Sequence, residues 1–545
     1  MMMRGWLKLI GLGLVSALLP LPHAGLAQRS ATPEVGSLNK PERMEWFRDL
    51  GFGLFIHWSV DVQTGVGISH SLVGASKEYT DWFYNDLPKT FYPREFHPED
   101  WARLAKVAGV RYMMFTNKHH SGFAMYDTAT TPFSVMNTPF HRDITAEVFQ
   151  AFRDQQIPVG VYFSPDDFYW LRSQGKPILR NVPQVQPKNN PVLMAYDQAQ
   201  VKELLTKYGP IQIIFFDGQT DGLRDLAWQM QPNIVVSRGA VQTPEQYIPG
   251  MPLKGAWEAN LTMGASWMYQ PQGDTYKSTR QLLETLIQTR AKGGNLLLDI
   301  GPKANGEIAQ EEEDRLREMG LWMSVNSDCI YGVRPWTITN EGDLWFTKKD
   351  DTLYVIDDSP EPWVFGKWRD VVLKSVQTTD QTEVSVLGES GTALEYQPKV
   401  DPKPSWKTDA DGLHIHAMLA QRLQDNYKWA YPVVLKLTHV KPGFQPPQVT
   451  TGASKAAGEN SYLLNGEVTD MGGSSTLQAG FEYRQITADD VAARSAPWVA
   501  TSMQPITKAG PYTLELKDLP PGNYEFHAVV KHPLLTIYGP DVPMR

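Results

Sequence analysis

IQIIFFDG, residues 211–218, is a nearly unbroken apolar run that stops at an aspartate and a glycine. A run this short, rich in isoleucine and phenylalanine, reads as a strand buried on both faces, the kind found in parallel sheets covered by helices. Asp217 at its end has two readings. It caps the turn that follows, as aspartates commonly do, or it holds a carboxylate at the open end of a sheet.

The same signature recurs at GFGLFIHWS (51–59), VRYMMFTN (110–117), PVGVYFS (158–164), NIVVSRG (233–239) and GNLLLDIG (294–301). Helix candidates lie between these runs, among them HPEDWARLAKVAG, DITAEVFQAFRDQQ, AQVKELLTKYG and STRQLLETLIQTRAKGG. Several open on an acidic or Ser/Thr residue and close on glycine. Strand–helix alternation over residues 41–336 indicates an α/β domain with a parallel sheet. Its length suits a (β/α)8-like barrel of the TIM type, although a doubly wound sheet would show the same alternation. The strand ends favour the barrel. His57, Lys118-His119-His120, Ser164, Asp217 and Arg238 all follow such runs, and barrels gather their active site from the C-terminal ends of several strands.

After Pro335-Trp336 the pattern becomes short and alternating, in segments such as DLWFTKKDDTLYVIDD, LHIHAML and VVLKLTHV. Residues 337–442 read as an antiparallel β-sandwich. KPGFQPPQVTTGASKAAGEN reads as a Pro/Gly/Ser-rich linker. Residues 455–545 resemble a fibronectin III-like or immunoglobulin-like β module. At the other end, residues 1–27 have the charged start, apolar centre and small-residue close of a secretory signal peptide. The reading is therefore an exported protein, periplasmic or secreted. No later stretch is long and apolar enough to span a membrane.

The formal net charge is −9 and there is no basic tract, so nucleic acid is excluded as the expected partner. The single cysteine, Cys329, permits no internal disulfide and sits in an apolar run, as a packed thiol would. The 17 Trp and 22 Tyr suit both a large core and aromatic sugar platforms.

NKHHSGF (117–123) places two adjacent histidines after a strand. One can bond a ligand hydroxyl while the other orients a neighbour. A zinc site would need further ligands at suitable spacing, so HH alone points to no metal. No cofactor is signalled.

Taken together the segments resemble glycoside hydrolase family 29, the α-L-fucosidases. The matching pieces are FGLFIHWS, FHPEDWARLAKVAGVRYMMFTNKHHSGFAMYD, RDITAEVFQAFRDQQIPVGVYFS, IIFFDG, TPEQYIP, KGGNLLLDIGPKANGEI and IYGVRPW, in the family's order. The resemblance implies a barrel followed by a β-sandwich. It also implies retaining hydrolysis of terminal α-L-fucosyl residues from an oligosaccharide or glycoconjugate, without a cofactor. By position Asp217 matches the nucleophile. His57, His119 and His120 match residues that bind fucose hydroxyls, Tyr162 the site tyrosine of the third strand, and Arg238 the arginine before the acid/base segment. Glu245 in TPEQYIP matches the acid/base, with Glu258 in WEAN as the competing carboxyl. Glu78 in GASKEYTDWF resembles a further sugar-binding glutamate. Trp58, Phe55, Trp257 and Trp267 are candidates for an apolar wall against the fucose methyl group. Two positions depart from the family's usual form: Ser121 stands in KHHSGF for KHHDGF, and Asp299 in LLLDIGP for LLLNIGP. A related α-L-glycosidase such as an α-L-galactosidase, or a non-catalytic fucose-binding protein on the same fold, would share much of this pattern.

Overall fold

The computed structural model describes residues 36–544, apart from 181, 393, 396–398, 420–427, 459 and 487–497. The expected signal peptide, residues 1–27, lies outside the described residues. Seven strands form one parallel sheet: β1 (Phe52–Ile56), β2 (Tyr112–Lys118), β3 (Val159–Phe163), β4 (Ile213–Phe216), β5 (Val235–Val236), β6 (Glu258–Thr262) and β7 (Asn295–Ile300). They are hydrogen-bonded in the order β5-β4-β3-β2-β1-β7-β6. The order therefore follows the chain around a circuit that is interrupted between β5 and β6. In that gap Gln242 and Glu245 make isolated parallel bridges to Trp257 and Asn260. The six apolar runs in the sequence are six of these strands. The remaining one, β6, reads EANLT, and its alternating Glu258 and Asn260 hide it from a search for apolar runs.

Period-two alternation divides the sheet's residues between two cores. Phe55, Tyr112, Met114, Tyr162, Ile213, Phe215, Val235 and Leu297 cluster with Phe47 of the first helix, Pro41–Leu50. Their neighbours Leu54, Ile56, Met113, Phe115, Val161, Ile214, Phe216 and Leu298 join the larger cluster built with the surrounding helices. Those helices carry ordinary end signals. Asp143 caps Ile144–Asp154 by accepting from Ala146 N, and Ser278 with Gln281 forms a capping box for Thr279–Ala291.

Beyond Arg334 the described residues form antiparallel sheets. A five-stranded sheet and a three-stranded sheet enclose Phe346, Leu353, Val355, Val371, Leu413, Ile415 and Leu435. This unit is docked on the parallel domain, where Trp322 Nε1 donates to Pro432 O at 2.8 Å and Arg280 Nη2 meets Asp358 Oδ1 at 2.9 Å. The last unit also has two sheets, centred on Ser461–Asp470 and Leu477–Ile486, with Leu464, Phe481, Phe526 and Val530 between them. Two of its strands, Gln448–Thr451 and Lys455–Gly458, fall inside the stretch read as a linker. The prolines and most of the glycines flank these strands, and Gly458 ends the second. No helix among the described residues is long and apolar enough to cross a membrane.

Glu258 opens β6 and pairs in register with Asn295, the first residue of β7. It is fully buried and accepts from Tyr112 Oη at 2.6 Å. Burial pushes its carboxyl up to about 7. A folded carboxyl that keeps its proton to this pH, against an unfolded value of ~4.3, contributes most at acid pH and loses stability as pH rises through the window between them. The loss is about 4 kcal/mol at most. Glu258→Gln keeps an acceptor for Tyr112 and removes the ionisation. Its melting temperature relative to the parent is expected to rise between pH 5 and pH 8. An unchanged difference across that range would contradict this account.

Candidate active site

Alternation also decides what lies at the sheet's open end. Phe55 and His57 share a face, as do Phe215 and Asp217, and Leu297 and Asp299. The first two pairs face a cavity of about 540 Å³ whose lining includes Phe55, His57, His70, His119, His120, Tyr162, Arg180, Phe215, Asp217, Arg238, Glu245, Asn260 and Trp267.

Asp217 is at its centre. Oδ2 accepts from Tyr162 Oη at 2.7 Å and lies 3.2 Å from His120 Nε2. Oδ1 accepts from Arg238 Nη1 at 3.0 Å, with Arg180 Nη2 at 3.7 Å. Burial alone would raise this carboxyl. The bond and charge of His120, with Arg238 and Arg180, outweigh burial and hold it well below the usual carboxylate range. Arg238 reaches further: Nη2 donates to Glu245 Oε2 at 2.7 Å, and the guanidinium lies 4.5 Å over the Phe215 ring. One planar cation thus bridges two carboxyl groups.

The histidines are each fixed from behind. His57 Nδ1 is 2.6 Å from Asp299 Oδ1, which leaves Nε2 as the nitrogen available to a ligand. His119 Nδ1 is 2.8 Å from Ser69 Oγ, and its ring stacks on Tyr162 at 5.4 Å. Ser69 holds a left-handed backbone, φ 61°, pinned by its own N–H on Asp61 Oδ2 at 2.6 Å. His120 Nδ1 is 2.5 Å from Ser164 Oγ. Burial pushes His57 down to about 3 and His119 well below the ordinary imidazole value, so both are neutral. A neutral imidazole can donate or accept, which suits a hydroxyl. Both adjacent histidines face the cavity, because the register slip between Thr116 and Lys118 ends the strand alternation there. Lys118 turns to the other side and is fully buried, with Asp167 and Asp197 at 3.2 Å and Gln200 at 2.8 Å.

Glu245, 43% exposed at its side chain, is carried by a segment laid against β6. Asn260 N donates to Pro244 O, and Gln246 N to Asn260 O, both at 2.8 Å. Asn260 Oδ1 is buried without a hydrogen-bond partner among the described residues, and the residue lines the cavity. His119, His120 and Asp217 bring three potential metal-ligand atoms within 4.8 Å of one another. Two guanidiniums already face the carboxylate, and their charge opposes a cation there.

Four residues expected at the site do not line it. Trp58 is buried against Phe91, Phe96 and Trp101. Glu78 is an exposed residue of the first turn of helix Lys77–Asn85. Glu258 sits at the opposite, N-terminal end of the sheet. Trp257, a wall candidate, is buried with Nε1 on Lys292 O. In their place the structure supplies His70, Arg180, Phe215 and Asn260. His70 packs 6.3 Å from the His119 ring and 6.1 Å from that of His120. Arg180 Nε donates to Asp166 Oδ2 at 3.0 Å.

A family model described as Alpha-L-fucosidase matches residues 20–328. The chain belongs to the α-L-fucosidase family. The rat tissue alpha-L-fucosidase is 30% identical over 433 residues, covering 70% of this chain and 90% of that one. The human tissue enzyme is 27% identical over 458 residues, covering 76% and 93%. The solved structure of alpha-L-fucosidase isoenzyme 1 from Paenibacillus thiaminolyticus superposes with a TM-score of 0.57 at 25% identity, covering 73% of this chain and 98% of that one.

For this member of the α-L-fucosidase family, the two departures in the motifs have distinct surroundings. Ser121 N donates to Ser69 Oγ at 2.8 Å and so shares the serine that fixes His119. Asp299 grips His57, and burial, reinforced by Glu312, holds its carboxyl well above the usual range. Lys118 supports the same loop from beneath. Lys118→Met leaves Asp167 and Asp197 buried without their cation, and such a loss costs about 3–5 kcal/mol. Denaturant unfolding of this variant is expected to show a destabilisation of that order; a change under ~1 kcal/mol would contradict the assigned role.

Proposed function

We propose that this protein hydrolyses terminal α-L-fucosyl groups with retention of anomeric configuration, using Asp217 as nucleophile and Glu245 as acid and then base. The observation that carries the reading is the Asp217 carboxylate, kept ionised at the cavity floor and joined through Arg238 to a second, more exposed carboxyl. Retention requires two such groups about 5–5.5 Å apart.

In the first step an Asp217 oxygen bonds to the anomeric carbon as its bond to the leaving oxygen breaks, and that oxygen takes the proton of Glu245. In the second, the Glu245 carboxylate takes a proton from water. The water oxygen bonds to the anomeric carbon and Asp217 departs as a carboxylate. His57 and His119, neutral and fixed through Nδ1, are suited to hydroxyls whose hydrogen bonds strengthen in the oxocarbenium-like transition state. His120, Tyr162 and Arg238 orient Asp217. Phe55, Phe215 and Trp267 give the cavity apolar surface for the fucose methyl group, which favours fucose over L-galactose with its 6-hydroxyl.

The circuit of strands, with its bridges across the β5–β6 gap, supports a (β/α)8-like barrel over residues 41–336. The two following units are read as a β-sandwich over 337–442 and a fibronectin III-like module over 455–545. The N-terminal pattern supports export to the periplasm or beyond.

Asp217→Ala is expected to fold and to lose aryl α-L-fucosidase activity by about 10⁴-fold or more. Glu245→Ala should be rescued by azide, with α-L-fucosyl azide as product. Near-parental activity in the first variant, or rescue at Glu258→Ala instead of Glu245→Ala, would overturn the assignment.

A further inference from the structure

The segment that carries Glu245 is held from two sides. On one side, residues 244–246 are bonded to β6 through Asn260, and Gln246 adopts a left-handed backbone, φ 61°. That conformation is costly for a residue with a side chain and persists only where its surroundings enforce it. After Gln246 the chain leaves the sheet. Ile248 and Leu253 pack back on the core of the parallel domain, while Met251, between them, packs on the core of the C-terminal unit with Leu464, Tyr512 and Phe526.

Tyr247 lies between charged groups of the same two bodies. Tyr247 lies within the electrostatic reach of Arg238 on the cavity side and of Arg484 and Asp541 on the C-terminal side. Both of the latter are themselves fixed. Arg484 Nε donates to Glu525 Oε1 at 2.5 Å and its guanidinium lies 4.3 Å over the Trp498 ring. Asp541 Oδ1 is 2.7 Å from His527 Nδ1.

The C-terminal unit is also anchored elsewhere. His532 stacks on Phe444 at 4.9 Å with the rings 3° from parallel. Leu535 packs on both the C-terminal core and the core of the preceding sandwich. That sandwich is docked on the parallel domain through Trp322 and Arg280. Contacts therefore run from the parallel domain through both β units and back to the loop beside the cavity.

We propose that the C-terminal β unit is a positioning element for Glu245, acting through Met251 and Tyr247 to hold residues 247–256 and with them the acid/base carboxyl. The proposal rests on Glu245 being that acid/base. Displacing a catalytic group by about 1 Å can cost 10²-fold in rate. In the first step the cost falls only on leaving groups that need its proton, whereas the second step, in which Glu245 acts as base on water, is shared by all substrates.

The test uses full-length protein and two substrates. 2,4-Dinitrophenyl α-L-fucoside has a leaving group that departs without protonation, and phenyl α-L-fucoside has one that needs it. Met251→Ala is expected to lower kcat/KM, which reads the first step, on the phenyl glycoside by about 10-fold or more, while kcat/KM on the dinitrophenyl glycoside changes less than about 3-fold. Met251→Leu should restore the parental ratio. Hydrogen exchange across residues 242–256 should quicken in Met251→Ala. Equal losses on both substrates, or no loss on either, would overturn the proposal. Glu245→Ala on the same pair separates the two readings. If it shows no leaving-group dependence the Glu245 assignment fails, whatever Met251 does.

Discussion

A carboxylate held mostly out of water at the end of an apolar strand, its side chain 19% exposed, is the constraint around which this site is built. Desolvating an ion is expensive unless charges and hydrogen bonds replace the lost water. Asp217 is compensated by Tyr162 at 2.7 Å, Arg238 at 3.0 Å and His120 at 3.2 Å, with Arg180 at 3.7 Å. These donors come from β3, the segments after β5 and β2, and the loop around residue 180. A charge balanced from four separate segments holds only if the sheet closes far enough to bring them together. The strand order, the alternation of inward side chains and the caps on the supporting helices all serve that convergence.

Much of this was legible in the sequence, for identifiable reasons. Apolar strands with polar ends are conspicuous, and six of them mark out the sheet together with His57, His119, His120, Tyr162, Asp217 and Arg238. The segment TPEQYIP marks Glu245. What escaped had no periodic signal. β6 alternates polar and apolar residues because Glu258 and Asn260 point into the sheet's interior. His70 and Arg180 come from irregular segments whose course depends on tertiary contacts, such as Ser69 held by Asp61 and Arg180 held by Asp166. Trp58 and Glu78 look like site residues in one dimension. A cluster of rings buries the first, and the second lies in an exposed helical turn. The linker stretch contains two strands because each is completed by pairing with Ser461–Asp470, a contact that local composition does not reveal.

The two carboxyls differ in how they are supported, and the difference matches the role proposed for each. Asp217 is enclosed by short, direct bonds within the sheet, as an attacking group must be. Glu245 is 43% exposed at its side chain and stands on a loop, where it can meet a leaving group that lies outside the fucose pocket. A loop is a poor support for a group that must be placed closely. The structure compensates by laying that loop on β6 and against a distant β unit. The C-terminal region thereby becomes part of the account of the site.

The central claim is that Asp217 forms a covalent bond to the sugar. It is tested most directly by incubating the protein with 2-deoxy-2-fluoro-α-L-fucosyl fluoride and mapping the adduct by peptide mass spectrometry. The account predicts a single fluorofucosyl group on Asp217. A label on Glu245, Glu258 or any other carboxyl, or turnover without a trapped adduct, would contradict it.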